Sequence, residues 1–233
     1  MKTVVLVTGA SKGIGAANVD RWIRDGAFVI ALSRIKKTLE LSVKKYPKGK
    51  VFPIVCDVTS PASVEESYRI IKTKFKRVDV IINNAGTGYF EPIEKTSLEH
   101  WQTTINTILT GTFLMTKAML PLLKKSKKAH IFNICSTASR KGFINCGSYA
   151  AAKFGQLGFT EVLRDELRPM RIKVTAIIPG AVNTPFWEKQ ASGFDLSKML
   201  HASDVADAIV YAYTQSKNNL IEEIVLKPAC GDL

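Results

Sequence analysis

The chain has 233 residues, 46% of them hydrophobic, and 33 Lys and Arg against 20 Asp and Glu give a net charge of +13. This length suits one domain over residues 1–233, and no apolar segment approaches the ~20 residues that span a bilayer. Lysines cluster at 36–37, 44–45, 72–77 and 124–128, but on separate segments without interleaved aromatics, which favours solvated helix faces over a nucleic-acid-binding surface.

Short β-branched runs alternate with longer helical patterns along the whole chain. Strands are predicted at 4–8, 27–32, 51–56, 80–83, 130–135, 173–178 and 223–226. Helices are predicted at 13–25, 35–46, 61–75, 98–124, 148–168 and 203–215. Such alternation predicts an α/β fold, a Rossmann-type doubly wound parallel sheet of about seven strands with helices on both faces. The segment 185–200 interrupts the alternation, and we expect it to be a mobile substrate lid.

A glycine-rich turn joins the first strand to the first helix. Its spacing, Gly-x3-Gly-x-Gly, places backbone N–H groups and the positive end of a helix dipole where a pyrophosphate could bind. No GK[ST] follows, so a P-loop is excluded. The turn therefore predicts a dinucleotide site that includes Gly9, Ser11, Lys12, Gly13, Ile14 and Gly15.

A phenol and an ammonium lie four residues apart in Tyr149-Ala-Ala-Ala-Lys153, on one face of a predicted helix. A nearby cation favours the phenolate, so we expect Lys153 to lower the pKa of Tyr149. Tyr149 would then donate or accept a proton at neutral pH. Tyrosine and lysine at this spacing also occur on ordinary exposed helix faces, so the pair alone does not establish a site.

The motifs together resemble those of the short-chain dehydrogenase/reductase family, over nearly the whole chain. They are, in order, Thr8-Gly9-x3-Gly13-x-Gly15, Asp57, Asn83-Asn84-Ala85-Gly86, Asn106, Ser136, Tyr149-x3-Lys153 and Pro179-Gly180 followed by Thr184. The interval of thirteen residues between Ser136 and Tyr149 is the one typical of that family, and it selects Ser136 over Ser139.

The resemblance implies four catalytic residues. Tyr149 would protonate the developing alkoxide, Ser136 would donate a hydrogen bond to the substrate oxygen, and Lys153 would assist Tyr149 and bind the nicotinamide ribose. Asn106 would complete a proton relay, although a lone asparagine in an apolar helix is more often a buried structural amide. The cofactor site would also contain Asp57, Val58, Asn84, Ala85, Gly86, Pro179, Gly180, Val182 and Thr184.

The end of the second strand predicts the cofactor. Ser33 stands where a carboxylate would bind the ribose hydroxyls of NAD, and Arg34 follows it. An arginine fork can bind a 2′-phosphate, and Lys12 could reach the same group. We therefore predict NADP(H), with the alternative that Arg34 points to solvent.

The substrate is the least constrained feature. We expect a small carbonyl compound, with Phe186, Trp187 and Met199 in a lid that faces Tyr89, Phe143 and Ile144 across the cleft. The alternative is that these residues serve packing or subunit contacts. The basic surface leaves open a substrate carried as a thioester or on an acidic carrier protein, as for a 3-oxoacyl-acyl-carrier-protein reductase, although the Gly-Gly segment usual near their carboxyl termini is missing. A non-catalytic NADP sensor or a nucleic-acid-associated protein remains the alternative of another class.

Four scattered cysteines and three isolated histidines predict no disulfide framework and no metal site. A reducing, cytoplasmic location fits this cysteine usage. The long helices near 98–124 and 148–168 predict a homodimer or homotetramer, because similar enzymes pack through them.

Overall fold

A seven-stranded parallel sheet forms the centre of the molecule, which is described here from a computed structural model covering residues 2–187 and 195–231. In chain order the strands are β1 (Val4–Thr8), β2 (Phe28–Ser33), β3 (Val51–Val55), β4 (Val80–Asn83), β5 (His130–Ile134), β6 (Lys173–Pro179), β7 (Val182–Asn183), β8 (Leu200–His201) and β9 (Glu223–Leu226). The main sheet runs β3-β2-β1-β4-β5-β6-β9, and β7 pairs with β8 separately.

The strand order reverses between β1 and β4. From β1 the chain moves outward through β2 to β3, then crosses back to β4 and continues in the opposite direction. Crevices at the carboxyl ends of strands at such a reversal are the usual ligand sites of open α/β sheets. The topology therefore places a crevice beside the carboxyl ends of β1 and β4.

Within residues 2–187 and 195–231, seven α-helices cover the two faces of the sheet. They are α1 (Gly13–Arg24), α2 (Lys36–Val43), α3 (Pro61–Phe75), α4 (Leu98–Ile105), α5 (Gly111–Leu123), α6 (Gly147–Leu167) and α7 (Ala202–Thr214). Alternate strand residues enter different cores: Leu6 packs in the one that includes α3, α5 and α6, while Val5 and Val7 pack in the one that includes α1, α2 and α7. Burial on both faces explains the consecutive apolar residues in β1, and the predicted fold class is confirmed.

The predicted helix 98–124 is wrong in one respect, because a π turn over Asn106–Thr110 divides it into α4 and α5. Within this turn the N–H of Gly111 donates to the carbonyl of Asn106, five residues earlier. The wider turn changes which residues face inward: Ile108 is buried and Asn106 is exposed. π turns of this kind occur often at functional sites.

Part of the segment predicted as a lid, 188–194, lies outside the described residues, so its mobility stays a prediction. Its described flanks carry the short pair of β7 and β8, which the sequence did not predict. Among the residues that the structure describes, no helix is long and apolar enough to cross a membrane.

A buried chain of amides and hydroxyls joins the centre of the sheet to α5 and α6. The Asn83 amide donates to Asn133 Oδ1 at 2.8 Å and to Thr116 Oγ1 at 3.1 Å. The Asn133 amide in turn donates to Thr160 Oγ1 at 2.9 Å. Since buried polar groups are costly when unpaired, this chain fixes the two helices against the strands from which the site projects.

Replacing Asn133 with Ala should therefore destabilise the fold. The change leaves the Asn83 amide with one bond fewer and opens a small cavity, at a cost of about 2–4 kcal/mol in the free energy of unfolding. Denaturant titration measures this, with Asn218→Ala, an exposed residue, as the matched control. Equal stability of the two variants would show that the amide chain contributes nothing.

Candidate active site

The glycine turn after β1 is held against the end of β4 by short polar contacts. Thr8 Oγ1 accepts from the N–H groups of Asn84 and Ala85, both at 2.9 Å. The Asn84 amide donates to the carbonyls of Thr8 at 2.8 Å and Gly9 at 3.2 Å. A Cβ on Gly15 would stand 2.2 Å from the Gly9 carbonyl oxygen, so only glycine fits there. The two motifs predicted as separate features therefore form one rigid unit.

A cleft of about 1240 Å³ extends from this turn along the carboxyl edge of the sheet. It is large enough for a dinucleotide and a small second molecule. Most of the predicted cofactor residues line it: Gly9, Ser11, Lys12, Gly13, Ile14, Ser33, Arg34, Asp57, Val58, Asn84, Ala85, Gly86, Tyr149, Lys153, Pro179, Gly180, Val182 and Thr184. Gly15 is buried beneath the turn and does not line the cleft.

The end of β2 carries hydroxyls and positive charge at the rim of the cleft. Ser33 Oγ lies 3.1 Å from Ser11 Oγ, which ties the rim to the glycine turn. Lys12 and Arg34 are exposed, and neither forms an ion pair with a described residue. Asp57 lies two residues after β3. Its carboxylate accepts hydrogen bonds from the N–H and the hydroxyl of Thr59, at 2.9 and 2.7 Å. The rim thus offers unpaired cations and no facing carboxylate at Ser33.

Thr184 closes the cleft over the glycine turn. A Cβ on Gly13 would lie 3.2 Å from the Thr184 side chain. Gly13 also has φ +55°, so both the close contact and the backbone conformation favour glycine here. The N–H of Gly180 donates to the Leu226 carbonyl at 2.7 Å, which fixes the chain before Thr184 to β9. Groups bound on the turn would therefore meet a hydroxyl from the opposite wall.

Ser136 and Tyr149 meet at the other end of the cleft. Ser136 lies two residues after the end of β5. Its Oγ accepts from the Ala138 N–H at 3.1 Å and is hydrogen-bonded to the Tyr149 hydroxyl. Its rival Ser139 is 2% exposed, accepts from the Ser136 N–H at 3.1 Å and does not line the cleft. The structure thus puts Ser136 at the site and gives Ser139 a supporting position behind it.

The pKa of Tyr149 is raised, not lowered. Burial raises it to about 12, and the hydrogen bond with Ser136 opposes this only in part. The Lys153 ammonium lies 5.8 Å from the centre of the tyrosine ring and donates elsewhere, to the Ile134 carbonyl at 2.5 Å and to Gln156 Oε1 at 2.9 Å. The expectation that Lys153 lowers the pKa of Tyr149 is therefore wrong in this structure, because desolvation is the largest cause of the shift and the ammonium donates its hydrogen bonds elsewhere.

Lys153 is itself perturbed by the same surroundings. It is 6% exposed, and burial lowers its pKa to about 8. Desolvation disfavours an ammonium just as it disfavours a phenolate, which explains the opposite directions of the two shifts. Both groups therefore favour their neutral forms more than they would in water.

Asn106 does not reach the cleft. Its side chain is exposed, and its Oδ1 accepts from Thr110 Oγ1 at 3.4 Å on the outer side of the π turn. Thr103 and Thr107 line the cleft instead. Since Asn106 is exposed in the π turn and does not line the cleft, the proton relay through it stays a prediction.

Aromatic side chains form the wall beside Tyr149. Phe90 is central to it, with ring centroids 5.5 Å from Tyr149, 5.8 Å from Phe186 and 5.8 Å from Trp187. Tyr89, Phe143 and Ile144 also line the cleft, whereas Met199 is buried and does not. Sequence reasoning missed Phe90, whose loop after β4 has no periodicity to mark a facing direction.

Comparisons with known proteins agree with this geometry. A family model described as short chain dehydrogenase matches residues 3–194. Sepiapterin reductase of Chlorobaculum tepidum is 35% identical, covering 100% of this chain and 99% of the relative. The 3-oxoacyl-[acyl-carrier-protein] reductase of Thermotoga maritima is 31% identical, covering 95% and 94%.

A solved structure matches the fold closely. An alcohol dehydrogenase from the archaeon Thermococcus sibiricus, in complex with 5-hydroxy-NADP, superposes with a TM-score of 0.87 at 28% identity, covering 98% of this chain and 97% of that one. The family match, the full-length relatives and the shared fold confirm the resemblance seen in the motifs. The chain belongs to the short-chain dehydrogenase family.

Proposed function

We propose that this protein is an NADP(H)-dependent oxidoreductase that reduces the carbonyl group of a ketone or aldehyde to an alcohol. The observation that carries this proposal is the shared cleft: the glycine turn stands at one end, and Ser136, Tyr149 and Lys153 stand at the other. A dinucleotide bound on the turn would bring its reactive end to these side chains. The intact trio argues against a non-catalytic sensor.

The cleft fits NADP(H) by its shape and its charge. Gly15 and Gly13 leave room for a close backbone approach, and the N-terminus of α1 offers N–H groups and a positive dipole end to a pyrophosphate. Lys12 and Arg34 would bind a 2′-phosphate beside Ser33, where a carboxylate would repel it. The NADP-type complex of the Thermococcus sibiricus relative supports this choice.

When bound, NADPH supplies the hydride, and this chain orients the carbonyl and supplies the proton. Ser136 would donate a hydrogen bond to the carbonyl oxygen, which becomes more negative as hydride arrives. Tyr149 would then give its proton to the same oxygen. A pKa near 12 keeps the phenol protonated at neutral pH, and the alkoxide is a much stronger base, so the transfer is downhill.

The aromatic wall favours a compact, flat carbonyl substrate. Phe90, Phe186 and Trp187 present ring faces and edges beside Tyr149, a surface on which conjugated or ring-bearing molecules pack well. The full-length similarity to a sepiapterin reductase points in the same direction. A 3-oxoacyl thioester is the second candidate, favoured by the basic surface and by the Thermotoga maritima relative.

We also propose a homo-oligomer built through α5 and α6. Phe113, Phe154 and Val162 on these helices are 42%, 46% and 53% exposed, a large fraction for apolar side chains. Gly155 lets Leu109 pack closely against α6, since a Cβ there would lie 2.8 Å from the leucine. A second copy would cover this apolar face.

A cytoplasmic location stays a prediction.

Tyr149→Phe should lower kcat by roughly 10²–10⁴-fold, because the ring remains and the proton donor is lost. NADPH binding, measured by nucleotide fluorescence, should stay within about threefold of the parent, since the phenol contributes mainly to chemistry. Tyr211→Phe, on the exposed face of α7, is the control and should keep full activity. Near-normal turnover by Tyr149→Phe would refute the proposed proton donor.

Arg34→Ala should raise the KM for NADPH by about 10–100-fold and leave the KM for NADH almost unchanged, since only NADPH carries the phosphate. Steady-state kinetics with both cofactors measures this, with Arg69→Ala, an exposed arginine of α3, as the control. Equal effects on both cofactors, or a parent enzyme that prefers NADH, would overturn the choice of NADP(H).

Phe90→Ala should lower kcat/KM for a ring-bearing substrate such as sepiapterin by roughly threefold to tenfold more than for 2,3-butanedione, because only the ring stacks on the wall. Measuring kcat/KM for acetoacetyl-coenzyme A in the same assay tests the thioester candidate. Tyr211→Ala, on the exposed face of α7 and outside the cleft, serves as the control. A parent enzyme fastest on the thioester, or a uniform loss with Phe90→Ala, would argue against a flat substrate.

A further inference from the structure

Gln156 lies one helical turn after Lys153 on α6, outside the cleft, and is 1% exposed. Its amide connects Lys153 to α5. Gln156 Oε1 accepts from Lys153 Nζ at 2.9 Å, and Gln156 Nε2 donates to Thr112 Oγ1 at 2.9 Å. Nothing in the spacing of the sequence marks this residue, because its partners come from two different helices.

The orientation of the Gln156 amide follows from the bonds around it. Thr112 Oγ1 donates its single hydrogen to the Ile108 carbonyl at 2.6 Å, within the π turn. Having used that hydrogen, the threonine hydroxyl can only accept from Gln156. The amide nitrogen must therefore face Thr112, and the oxygen must face Lys153.

This orientation fixes where the Lys153 ammonium can donate. An ammonium has three N–H groups, and two of them bond to the Ile134 carbonyl and to Gln156 Oε1. Among the described residues no further bond of this ammonium is seen, so one N–H remains for the cleft, which Lys153 lines. Two fixed acceptors thus determine the direction of the third donor.

We propose that Gln156 is a positioning residue for the reaction: its amide, oriented by Thr112 and the π turn, holds the Lys153 ammonium charged and directed into the cleft. The inference rests on the proposed function, in which Lys153 serves Tyr149 and the cofactor ribose. A hydrogen bond to a charged group favours its charged form, so this bond should oppose the burial of the lysine, as the neighbouring Cys135 does. Without Gln156, the lysine would lose its proton at lower pH.

The test replaces Gln156 with Leu, which keeps the volume and removes the acceptor. The pKa of Lys153, followed by NMR of protein labelled with ¹⁵N-lysine and assigned with Lys153→Arg, should fall by roughly one to two pH units. The alkaline limb of kcat/KM should move to lower pH by the same amount. Gln156→Glu, which keeps an acceptor for the ammonium, should bring the limb back to or above its original position.

Thr116→Val is the matched control, because it removes another buried hydrogen bond of α5 that does not touch Lys153. It should lower stability without moving the lysine titration. Should Gln156→Leu fail to fold, Thr112→Val removes the bond that orients the amide and should shift the titration in the same direction by less.

An unchanged Lys153 titration in Gln156→Leu, or an equal shift in Thr116→Val, would overturn the inference. The NMR titration needs no substrate, so it stands apart from the proposed function. If the parent protein reduces no carbonyl compound with NADPH, the proposed function fails, while the titration still decides the role of Gln156.

Discussion

The site depends on the desolvation of two ionisable side chains at the floor of one cleft. Burial raises the pKa of the Tyr149 phenol and lowers that of the Lys153 ammonium, so the charged form of each group is less favourable than in water. A phenol that stays protonated is suited to give a proton to a developing alkoxide. The lysine ammonium, by contrast, donates there to the Ile134 carbonyl and to Gln156, and such bonds favour its charged form.

The sheet creates this environment and positions it. Ser136 lies two residues after β5, while Tyr149 and Lys153 lie on the first two turns of α6, which packs on β5 and β6. The reversal of strand order between β1 and β4 opens the crevice, and Thr8 and Asn84 fasten its glycine turn. The rigid turn and the desolvated pair therefore belong to one scaffold, which is why their spacing does not depend on flexible loops.

Much of this arrangement was predictable from the sequence. Apolar runs of β-branched residues gave the strands of the main sheet within about one residue, because strands buried on both faces leave a strong signal. The interval from Ser136 to Tyr149 put two hydroxyls at one site through the family resemblance, since spacing alone does not show that a strand end and a helix start meet. Spacing along one chain was sufficient wherever a single element carried the residues.

The features that the sequence did not predict correctly have physical causes that residue spacing does not show. Asn106 was placed at the site by the family resemblance, and the π turn that leaves its side chain exposed could not be predicted from the spacing. The pKa of Tyr149 was predicted from one neighbouring charge, whereas the burial that decides it comes from Phe90, Phe186 and other distant residues. Gln156 was not predicted for the same reason, because its proposed role depends on a hydrogen bond to Thr112 on another helix.

The most direct test of this account is a titration that follows the ionisation of the Tyr149 phenol. In protein labelled with ¹³C at the tyrosine ζ carbon, the resonance lost in Tyr149→Phe identifies the residue, and its chemical shift reports ionisation. The account predicts a phenol that stays protonated well above its ordinary pKa of 10.0, titrating near pH 12. A Tyr149 that ionises below its ordinary pKa would show that the nearby cation outweighs burial and would contradict the account.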